Sequence, residues 1–287
     1  MNSYFKGWYF KAQNDTQTVA IIPAMHIDEK GEKSASIQII TDNGVWNIRL
    51  PYEQFSCCRN KLRVKIGENI FSDQGLTLNA KTDEVTACGN LKFGPLSPIC
   101  YDVMGPFRYV PFMECRHSVF SMTNKVSGCL SINGHAYRFD NDAGYIEGDR
   151  GRSFPDVYAW TQCNFFDESP CSIMLSVADI PLGAIHFTGI IGVILWHRKE
   201  YRIATYLGAK AAHIGNGKIA VSQGRFKLTA TLIKKQDNRL YAPVRGGMKR
   251  LIRESLSCTA SYSFEEDGKT LFDFYTDRAS FEYEFEK

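Results

Sequence analysis

Two acidic residues in aromatic surroundings form the stretch of this sequence with the clearest chemical potential. The segment from Gly144 to Asn164 contains Glu147 and Asp149, and these are followed by Tyr158 and Trp160. A carboxyl group in apolar surroundings stays protonated at a higher pH than one in water, which is the property that acid catalysis near neutral pH requires. The spacing predicts a loop loosened by glycines that leads into an aromatic strand. The structural alternative is that both acids are turn-formers or solvated charges.

A second acid–base candidate, Glu114 with His117, lies after a stretch rich in glycine and proline, Gly94 to Pro111. An apolar stretch without strand alternation is typical of either a buried crossing segment or a lid over a pocket. If Glu114 is buried it needs a positively charged partner, and Arg116 or Arg108 could serve.

Composition and charge restrict the classes of protein to which the chain can belong. Its 287 residues are 44% apolar and 23% charged with a formal net charge of +3, values typical of a soluble globular protein. A charge so close to balance gives no support for nucleic acid or an anionic membrane as a partner. The N-terminus lacks the pattern of a signal peptide, and the longest apolar run, from Pro181 to Trp196, is too short and too broken to span a bilayer.

Cysteine and histidine usage indicates a cytoplasmic protein without a zinc or iron site. The nine cysteines are scattered, which favours reduced thiols over a disulfide framework. The sequence contains no C-x-x-C, and none of its six histidines is followed by another at i+3 or i+4. The basic run from Arg245 to Arg253 is typical of a solvated helix face, with peripheral membrane contact as the less favoured interpretation. The sequence does not determine the oligomeric state.

Hairpin turns between runs of β-branched and aromatic residues predict an all-β fold. The turn dipeptides are Asn43-Gly44, Asn133-Gly134, Asn216-Gly217 and Asp267-Gly268. Strict alternation of apolar and polar residues, as in Lys61 to Ile66, is typical of an antiparallel sheet with one buried face. Helical spacing occurs once, at Met248, Leu251, Ile252 and Leu256, and predicts a short helix near the C-terminus.

An internal repeat predicts two domains. The pattern F-x-x-x-Y-x-x-x-Q occurs as Phe5, Tyr9, Gln13 and again as Phe154, Tyr158, Gln162. Each copy contains a tryptophan, Trp8 or Trp160, and each is followed by a polar turn and an apolar run. We therefore expect domains at residues 1–152 and 153–287, each of the size of a small antiparallel barrel that encloses one apolar ligand.

Several motifs occur in the order found in a known family. The opening Phe5 to Lys11 resembles the F-E-G-W-Y-F-K motif of the tocopherol cyclase family, and Gly144 to Asn164 is similar to its E-K-(D/N)-W-G-x-x-F-P and W-V-Q-C-N segments. Met113 to His117 and Leu240 to Pro243 follow in matching order, so the resemblance covers nearly the whole chain. The sequence differs from the motif at Gly148 and Arg150.

The resemblance implies two tandem lipocalin-like barrels, a fold shared with carotenoid hydratases, and a reaction that needs neither metal nor redox cofactor. An acid protonates a prenyl double bond, and a phenolic oxygen or water captures the cation. The candidate acids are Glu147 and Asp149, with Glu114 and His117 as the second pair. The candidate substrate-binding residues are Trp8, Tyr145, Arg150, Tyr158, Trp160 and Asn164. For the aromatic residues the alternative is barrel core, and for Asn164 it is a buried structural amide.

These observations favour a cyclase-like or hydratase-like isomerase that acts on a hydrophobic isoprenoid. The alternative is a non-catalytic lipocalin-like carrier of a hydrophobic small molecule, and a third interpretation is a structural protein with an empty cavity. The identity of the ligand is not encoded in any motif.

Overall fold

The chain forms two compact units, each built mainly from one antiparallel sheet. The computed structural model describes residues 3–111, 113–166, 170–182, 185–235 and 238–285. The first unit comprises Met1–Pro98, Cys115–Phe154 and Leu240–Arg250, and the second comprises Ile99–Glu114, Pro155–Arg239 and Leu251–Lys287. The domain limits 1–152 and 153–287 stay a prediction.

The first sheet contains eleven strands and is a nearly closed barrel. The strands are β1 (Tyr4–Gln13), β2 (Thr18–Ile27), β3 (Lys33–Thr41), β4 (Gly44–Pro51), β5 (Phe55–Cys57), β6 (Arg63–Ile66), β7 (Asn69–Ser72), β8 (Gly75–Lys81), β9 (Thr86–Phe93), β10 (Cys115–Ile132) and β11 (His135–Gly151). They are ordered β4-β3-β2-β1-β11-β10-β9-β8-β7-β6-β5. The first and last strands of the chain segment, β1 and β11, are therefore neighbours in the middle of the sheet.

The second sheet repeats this order of pairing. Its strands are β12 (Tyr158–Cys163), β13 (Cys171–Leu182), β14 (Ile185–Trp196), β15 (Lys199–Ala204), β16 (Lys210–Gly215), β17 (Lys218–Gln223), β18 (Phe226–Lys234), β19 (Asn238–Val244), β20 (Gly247–Glu266) and β21 (Lys269–Tyr283). They are ordered β15-β14-β13-β12-β21-β20-β18-β17-β16, with β19 paired to β20. The strands β1 and β12, which carry the two copies of the aromatic repeat, hold the same position in their sheets. The all-β prediction is confirmed.

Three of the four predicted hairpin turns lie where the sequence predicts them, whereas the turn between β3 and β4 is formed by residues 42 and 43, with Gly44 as the first residue of β4. Asn133-Gly134 joins β10 to β11, Asn216-Gly217 joins β16 to β17, and Asp267-Gly268 joins β20 to β21. Both residues of each of these pairs have positive φ, as a type I′ turn requires. Three short 3₁₀ helices occur in the described residues, at Tyr52–Gln54, Gly105–Tyr109 and Thr205–Leu207. None of the helices in the described part of the chain has the length and hydropathy of a membrane span.

The predicted helix near the C-terminus is wrong, because Met248, Leu251, Ile252 and Leu256 all lie in the strand β20. This strand follows a turn in which Arg245 and Gly246 both have positive φ, so the chain enters it as the second arm of a hairpin. A run of buried residues at every second position, from Leu256 to Phe264, then continues the strand. The longer period-two pattern outweighs the short match to helical spacing.

The predicted loop around the two acids is also wrong, although the aromatic strand after it is confirmed as β12. Residues 144–151 form the end of β11. The glycines in this segment permit close packing of neighbouring chains. A Cβ atom at Gly148 would lie 2.7 Å from the carbonyl oxygen of Gly7, and one at Gly144 would lie 2.4 Å from Cγ2 of Val126. Within residues 144–163, all of which the structure describes, irregular chain is confined to the residues between the end of β11 and the start of β12.

Each sheet encloses a filled apolar core. In the first unit the core includes Trp8, Phe10, Ile21, Ile37 and Ile146. In the second it includes Ala159, Ile173, Leu228, Tyr262 and Phe264. Because side chains alternate along a strand, the residues between these core positions face the other side of the sheet.

Candidate functional site

The candidate acids lie on a central strand of the first sheet. The strand β11 pairs with β1 on one side and with β10 on the other. Tyr145, Glu147 and Asp149 are spaced two apart and project from one face, which we call the acid face of β11. Ile146 and Gly148 project from the opposite face, the core face, where a Cβ at Gly148 would lie 3.4 Å from the Trp8 ring. The acids are therefore held outside the apolar core of the barrel.

Register places His117 beside both acids. His117 of β10 lies directly opposite Asp149 of β11, and residues directly opposite each other in an antiparallel pair share a face. Nδ1 of His117 lies 3.0 Å from Oδ1 of Asp149, and Nε2 lies 3.1 Å from Oε2 of Glu147. The first contact is a hydrogen bond, whereas the second is a close contact in which Nε2 lacks hydrogen-bond alignment. The imidazole is held between two carboxyl groups.

A phenol completes the cluster. The hydroxyl of Tyr145 donates a hydrogen bond of 2.5 Å to Oε2 of Glu147, the same oxygen that faces His117. Tyr145 is fully buried, and Glu147 and His117 are 5% and 8% exposed. We call Tyr145, Glu147, His117 and Asp149 the acid cluster.

Charge and burial oppose each other at His117. Burial of the ring lowers the pKa of His117, but the negative charges of Glu147 and Asp149 and the close contacts with them outweigh burial, so the pKa is held well above its usual value. Burial, reinforced by the charge of Glu147, raises the pKa of Tyr145 well above its usual value. His117 therefore carries its proton at neutral pH and Tyr145 keeps its own.

This arrangement can hold and move a proton. The His117 Nδ1–H is directed to Asp149, and the Tyr145 hydroxyl is directed to Glu147. A second ring proton on Nε2 lies within 3.1 Å of Glu147, where the two groups can exchange it. A proton lost from Glu147 would leave a carboxylate that is stabilised by a phenol and an imidazolium.

The cluster also contains residue types that bind metals. Ligand atoms of His117, Glu147 and Asp149 all lie within 4.8 Å of one another. A metal ion binds a neutral imidazole through one nitrogen, whereas here each ring nitrogen faces a carboxylate. Metal binding would require the ring to turn and lose its proton, so the geometry fits an imidazolium between carboxylates better than a metal site.

Three residues near the acid cluster were not identified as site residues from the sequence. Tyr9 lies opposite Glu147, and Gly7 lies opposite Asp149. Cys115 donates a long hydrogen bond from Sγ to Oδ1 of Asp149, at 3.5 Å. The alternation Tyr145-x-Glu147-x-Asp149 would have revealed a shared face if the segment had been interpreted as a strand. The contacts with β1 and β10 depend on a register that the sequence does not specify.

Gly7 leaves space next to Asp149. A Cβ atom built at Gly7 would lie 3.5 Å from Cβ of Ala24 and 3.9 Å from the carbonyl oxygen of Pro23, and within the described residues no other atom lies within 4 Å beyond its chain neighbours. Gly7 is not among the glycines with positive φ, so its backbone does not require glycine. The small residue therefore leaves room over the sheet beside the acid cluster.

The other predicted site residues of the first unit lie on the core face or outside the cluster. Trp8 is 4% exposed within the apolar core, and Arg150 is exposed on the face opposite Asp149. Glu114 is half-buried just before β10 and does not belong to the acid cluster. The structure thus joins His117 to Glu147 and Asp149 rather than to Glu114.

Tyr158, Trp160 and Asn164 belong to the second unit. Tyr158 and Trp160 are buried on the face of β12 that does not contribute to the apolar core. Trp160 lies directly opposite Glu282 of β21, and the hydroxyl of Tyr158 donates a hydrogen bond to Oε2 of the same residue. Asn164 is half-buried directly after β12. The second sheet therefore also carries a hydrogen-bonded tyrosine–glutamate pair outside its core.

Three solved structures share the fold at low sequence identity. One is CghA in complex with Sch210972, with a TM-score of 0.62, 10% identity and coverage of 98% of this chain and 88% of that chain. Kievitone hydratase from Nectria haematococca has a TM-score of 0.53, 12% identity and coverage of 98% and 89%. A protein described as AttH from Nitrosomonas europaea has a TM-score of 0.54, 10% identity and coverage of 99% and 93%.

Sequence comparison gives the family. No curated protein matches the sequence. The family model described as tocopherol cyclase-like matches residues 90–283, which is more than half of the chain and includes β10, β11 and the whole of the second sheet. The resemblance of the motifs is therefore confirmed. The chain belongs to the tocopherol cyclase-like family.

Proposed function

We propose that this protein is an acid catalyst that needs no cofactor and that cyclises or hydrates an alkene of a hydrophobic, isoprenoid-like substrate at the acid cluster. The observation that carries the proposal is the buried contact of His117 with both Glu147 and Asp149. Membership of a family named after a cyclase supports the reaction class. The name of kievitone hydratase, which shares the fold, is consistent with addition of water as the variant reaction.

Glu147 is the proposed proton donor. Glu147 accepts the Nε2 proton of His117 and transfers it to one alkene carbon, and the neighbouring carbon becomes a tertiary cation. A phenolic oxygen of the substrate, or water, then bonds to the cation, and the proton of that oxygen returns through Glu147 to His117. Every proton is returned, so the reaction is an isomerisation or a hydration and requires no oxidant.

The rest of the cluster supports this role. Tyr145 donates a hydrogen bond to Oε2 of Glu147, so it stabilises the carboxylate formed after proton transfer. His117 supplies a positive charge 3.1 Å from the same oxygen, and Asp149 orients the ring through Nδ1. Burial of the cluster lowers the local dielectric constant and strengthens each of these interactions.

Substrate reaches the cluster, in this proposal, through the space over Gly7. Gly7 and Ala24 form a floor of small residues beside Asp149, because the three lie directly opposite one another in β1, β2 and β11. Tyr9, 7% exposed, lies opposite Glu147 and offers an aromatic face near the developing cation.

The experiment replaces Glu147 and Asp149 separately with their amides, with Asp140→Asn as the matched control. Asp140 lies on the same strand but is exposed and outside the cluster. We expect Glu147→Gln to lower turnover of prenylated quinols by about a hundred-fold or more, since positioned acid–base groups contribute on that order. Asp149→Asn should lower turnover less, because Asp149 acts through His117.

Circular dichroism and thermal melts show whether each variant is folded, and mass spectrometry identifies the product. If Glu147→Gln and Asp149→Asn both fold and keep the turnover of Asp140→Asn, the catalytic proposal is wrong.

One observation favours the carrier alternative. Both ring nitrogens of His117 face carboxyl groups of the protein itself. The same arrangement is expected if the cluster is an ion pair that only stabilises the fold of a carrier. A carrier would bind isoprenoid ligands saturably and release them unchanged after long incubation. Formation of a cyclised or hydrated product by the unsubstituted protein excludes the carrier as the sole function.

A further inference from the structure

The core face of β11 carries an unusual charge arrangement near the end of the strand. Lys6 of β1 lies directly opposite Arg150 of β11, and Arg116 of β10 lies directly opposite Arg150 on the other side. Three positive side chains therefore lie side by side on three adjacent strands. Like charges at directly opposite positions repel and destabilise a sheet, so such a row requires a compensating interaction.

Two of these cations have no carboxylate partner within the residues that the structure describes. Lys6 instead forms a cation–π contact, in which Nζ lies 4.8 Å from the centre of the Trp8 ring. Arg150 forms no ion pair with any described residue, although the chain contains 31 acidic residues. Lys6 and Arg150 therefore keep positive charge that no described carboxylate neutralises.

A hydroxyl group adds a hydrogen-bond donor to the row. Tyr4 lies two residues before Lys6 on the same face of β1. Burial raises the pKa of Tyr4, while the positive charges of Arg150 and Arg116 act in the opposite direction, so its phenol lies within the field of both guanidinium groups. The hydroxyl has no hydrogen-bond partner in the described part of the chain. A phenol and two guanidinium groups are a donor set suited to oxyanions.

Apolar residues continue the row in the other direction. Met25 lies opposite Lys6, Ala35 lies opposite Met25, and Leu50 lies opposite Ala35. Met25 is 6% exposed, and Leu50 packs against the apolar core. The row is thus cationic over three strands and apolar over the next three, as an amphipathic anion requires.

We propose that Lys6, Arg116 and Arg150, with the hydroxyl of Tyr4, form an anion-binding site for the carboxylate or phosphate group of an amphipathic ligand. The anion lies across β1, β11 and β10 and offsets the repulsion between the cations. This site is independent of the proposed catalysis, because it uses the core face of β11 and the acid cluster uses the other face.

The test compares three probes at constant ionic strength: inorganic phosphate, dodecanoate below its micelle concentration, and dodecanol. Binding is measured by isothermal titration calorimetry and by the shift in Tm. We expect phosphate or dodecanoate to bind and dodecanol not to bind. Binding of phosphate assigns the site to a phosphate group, whereas binding of dodecanoate alone assigns it to a carboxylate with an apolar chain.

The variants are Arg150→Gln and Lys6→Gln, with Lys92→Gln as the control. Lys92 is exposed on β9 of the same sheet, away from the row. Loss of one charged donor should weaken anion binding by about ten-fold or more, whereas Lys92→Gln should bind like the unsubstituted protein. Without an anion, Arg150→Gln should melt at a higher temperature than the unsubstituted protein, because it removes the repulsion.

Two results would overturn the proposal. One is binding of no anionic probe by the unsubstituted protein. The other is an equal loss of affinity in Lys92→Gln and Arg150→Gln, which would show that binding depends on the net charge of the protein and not on this row.

Discussion

Gly7 of β1 lies directly opposite Asp149 of β11, and Gly148 of β11 lies directly opposite Trp8 of β1, so the two glycines are one residue out of register and the structure assigns them different roles. A Cβ at Gly148 would meet a backbone oxygen at 2.7 Å, a distance that real Cβ atoms essentially never show. A Cβ at Gly7 would make ordinary contacts of 3.5 Å and 3.9 Å. We predict that alanine at position 148 costs stability, whereas alanine at position 7 costs activity.

The magnitudes follow from these contacts. Gly148→Ala forces the backbone of β1 to move, which costs about 1–3 kcal/mol, as for other overpacked sites. Gly7→Ala avoids strain and restricts the unfolded chain, which stabilises by about 0.4–1 kcal/mol. The two variants should therefore differ by about 1.4–4 kcal/mol in free energy of unfolding, or by about 3–16 °C in Tm.

Activity should show the reverse order. A methyl group at position 7 enters the space beside Asp149, and a leucine fills it, so substrate would be displaced from the acid cluster. Displacement by about 1 Å can cost a hundred-fold in rate, and we expect Gly7→Leu to lose at least that much. Gly148→Ala, measured per folded molecule below its melting temperature, should lose far less.

The assays are urea unfolding for stability and turnover of a prenylated quinol for activity. Full turnover by a folded Gly7→Leu variant would refute the placement of substrate over Gly7. An equal loss of stability in Gly7→Ala and Gly148→Ala would show that protein atoms already fill this space.

Two further predictions concern hydrogen bonding and pH. Tyr145→Phe removes the hydrogen-bond donor to Oε2 of Glu147, so kcat should fall by about ten-fold or more with little change in KM. Steady-state kinetics measures both constants, and an unchanged kcat would contradict the role of the phenol. His26 is 3% exposed, and burial lowers its pKa to about 4 from 6.5, so the unfolded chain binds a proton more readily than the native protein between these values. Stability should therefore decrease as pH falls through this window, by about 1.6 kcal/mol between pH 6.5 and pH 5. Urea unfolding of His26→Gln should lack this component, and an unchanged pH dependence would show that other groups cause it.

The sequence predicts the fold better than it predicts the site. Turn dipeptides such as Asn133-Gly134 act locally, since both residues must adopt positive φ and few others do so easily. Period-two alternation is also local, so the all-β fold follows from short segments. The helix expected at Met248 to Leu256 is wrong because four residues at helical spacing are weaker information than the hairpin turn before them.

The site depends on register, which is a long-range property. His117 and Asp149 are 32 residues apart, and only the pairing of β10 with β11 makes them neighbours. A shift of that pairing by one residue would turn His117 to the other face of the sheet. Bulges in β10 after Val119 make such a register difficult to infer from alternation. The sequence therefore identifies the participating residue types but pairs His117 with Glu114.

The alternation of β11 also explains why Arg150 does not act on the acid that precedes it. In a loop, an arginine next to Asp149 could fold back onto the carboxylate. In a strand, consecutive side chains point to opposite faces, so the Asp149 carboxylate contacts His117 while Arg150 joins Lys6. The sheet backbone between them keeps the guanidinium group away from the acid cluster, and His117 places a positive charge 3.1 Å from Glu147. Arg150 is a departure from the family motif, and in a loop it would weaken Asp149 as an acid. In a strand it points to the other face of the sheet, where it serves the proposed anion-binding site.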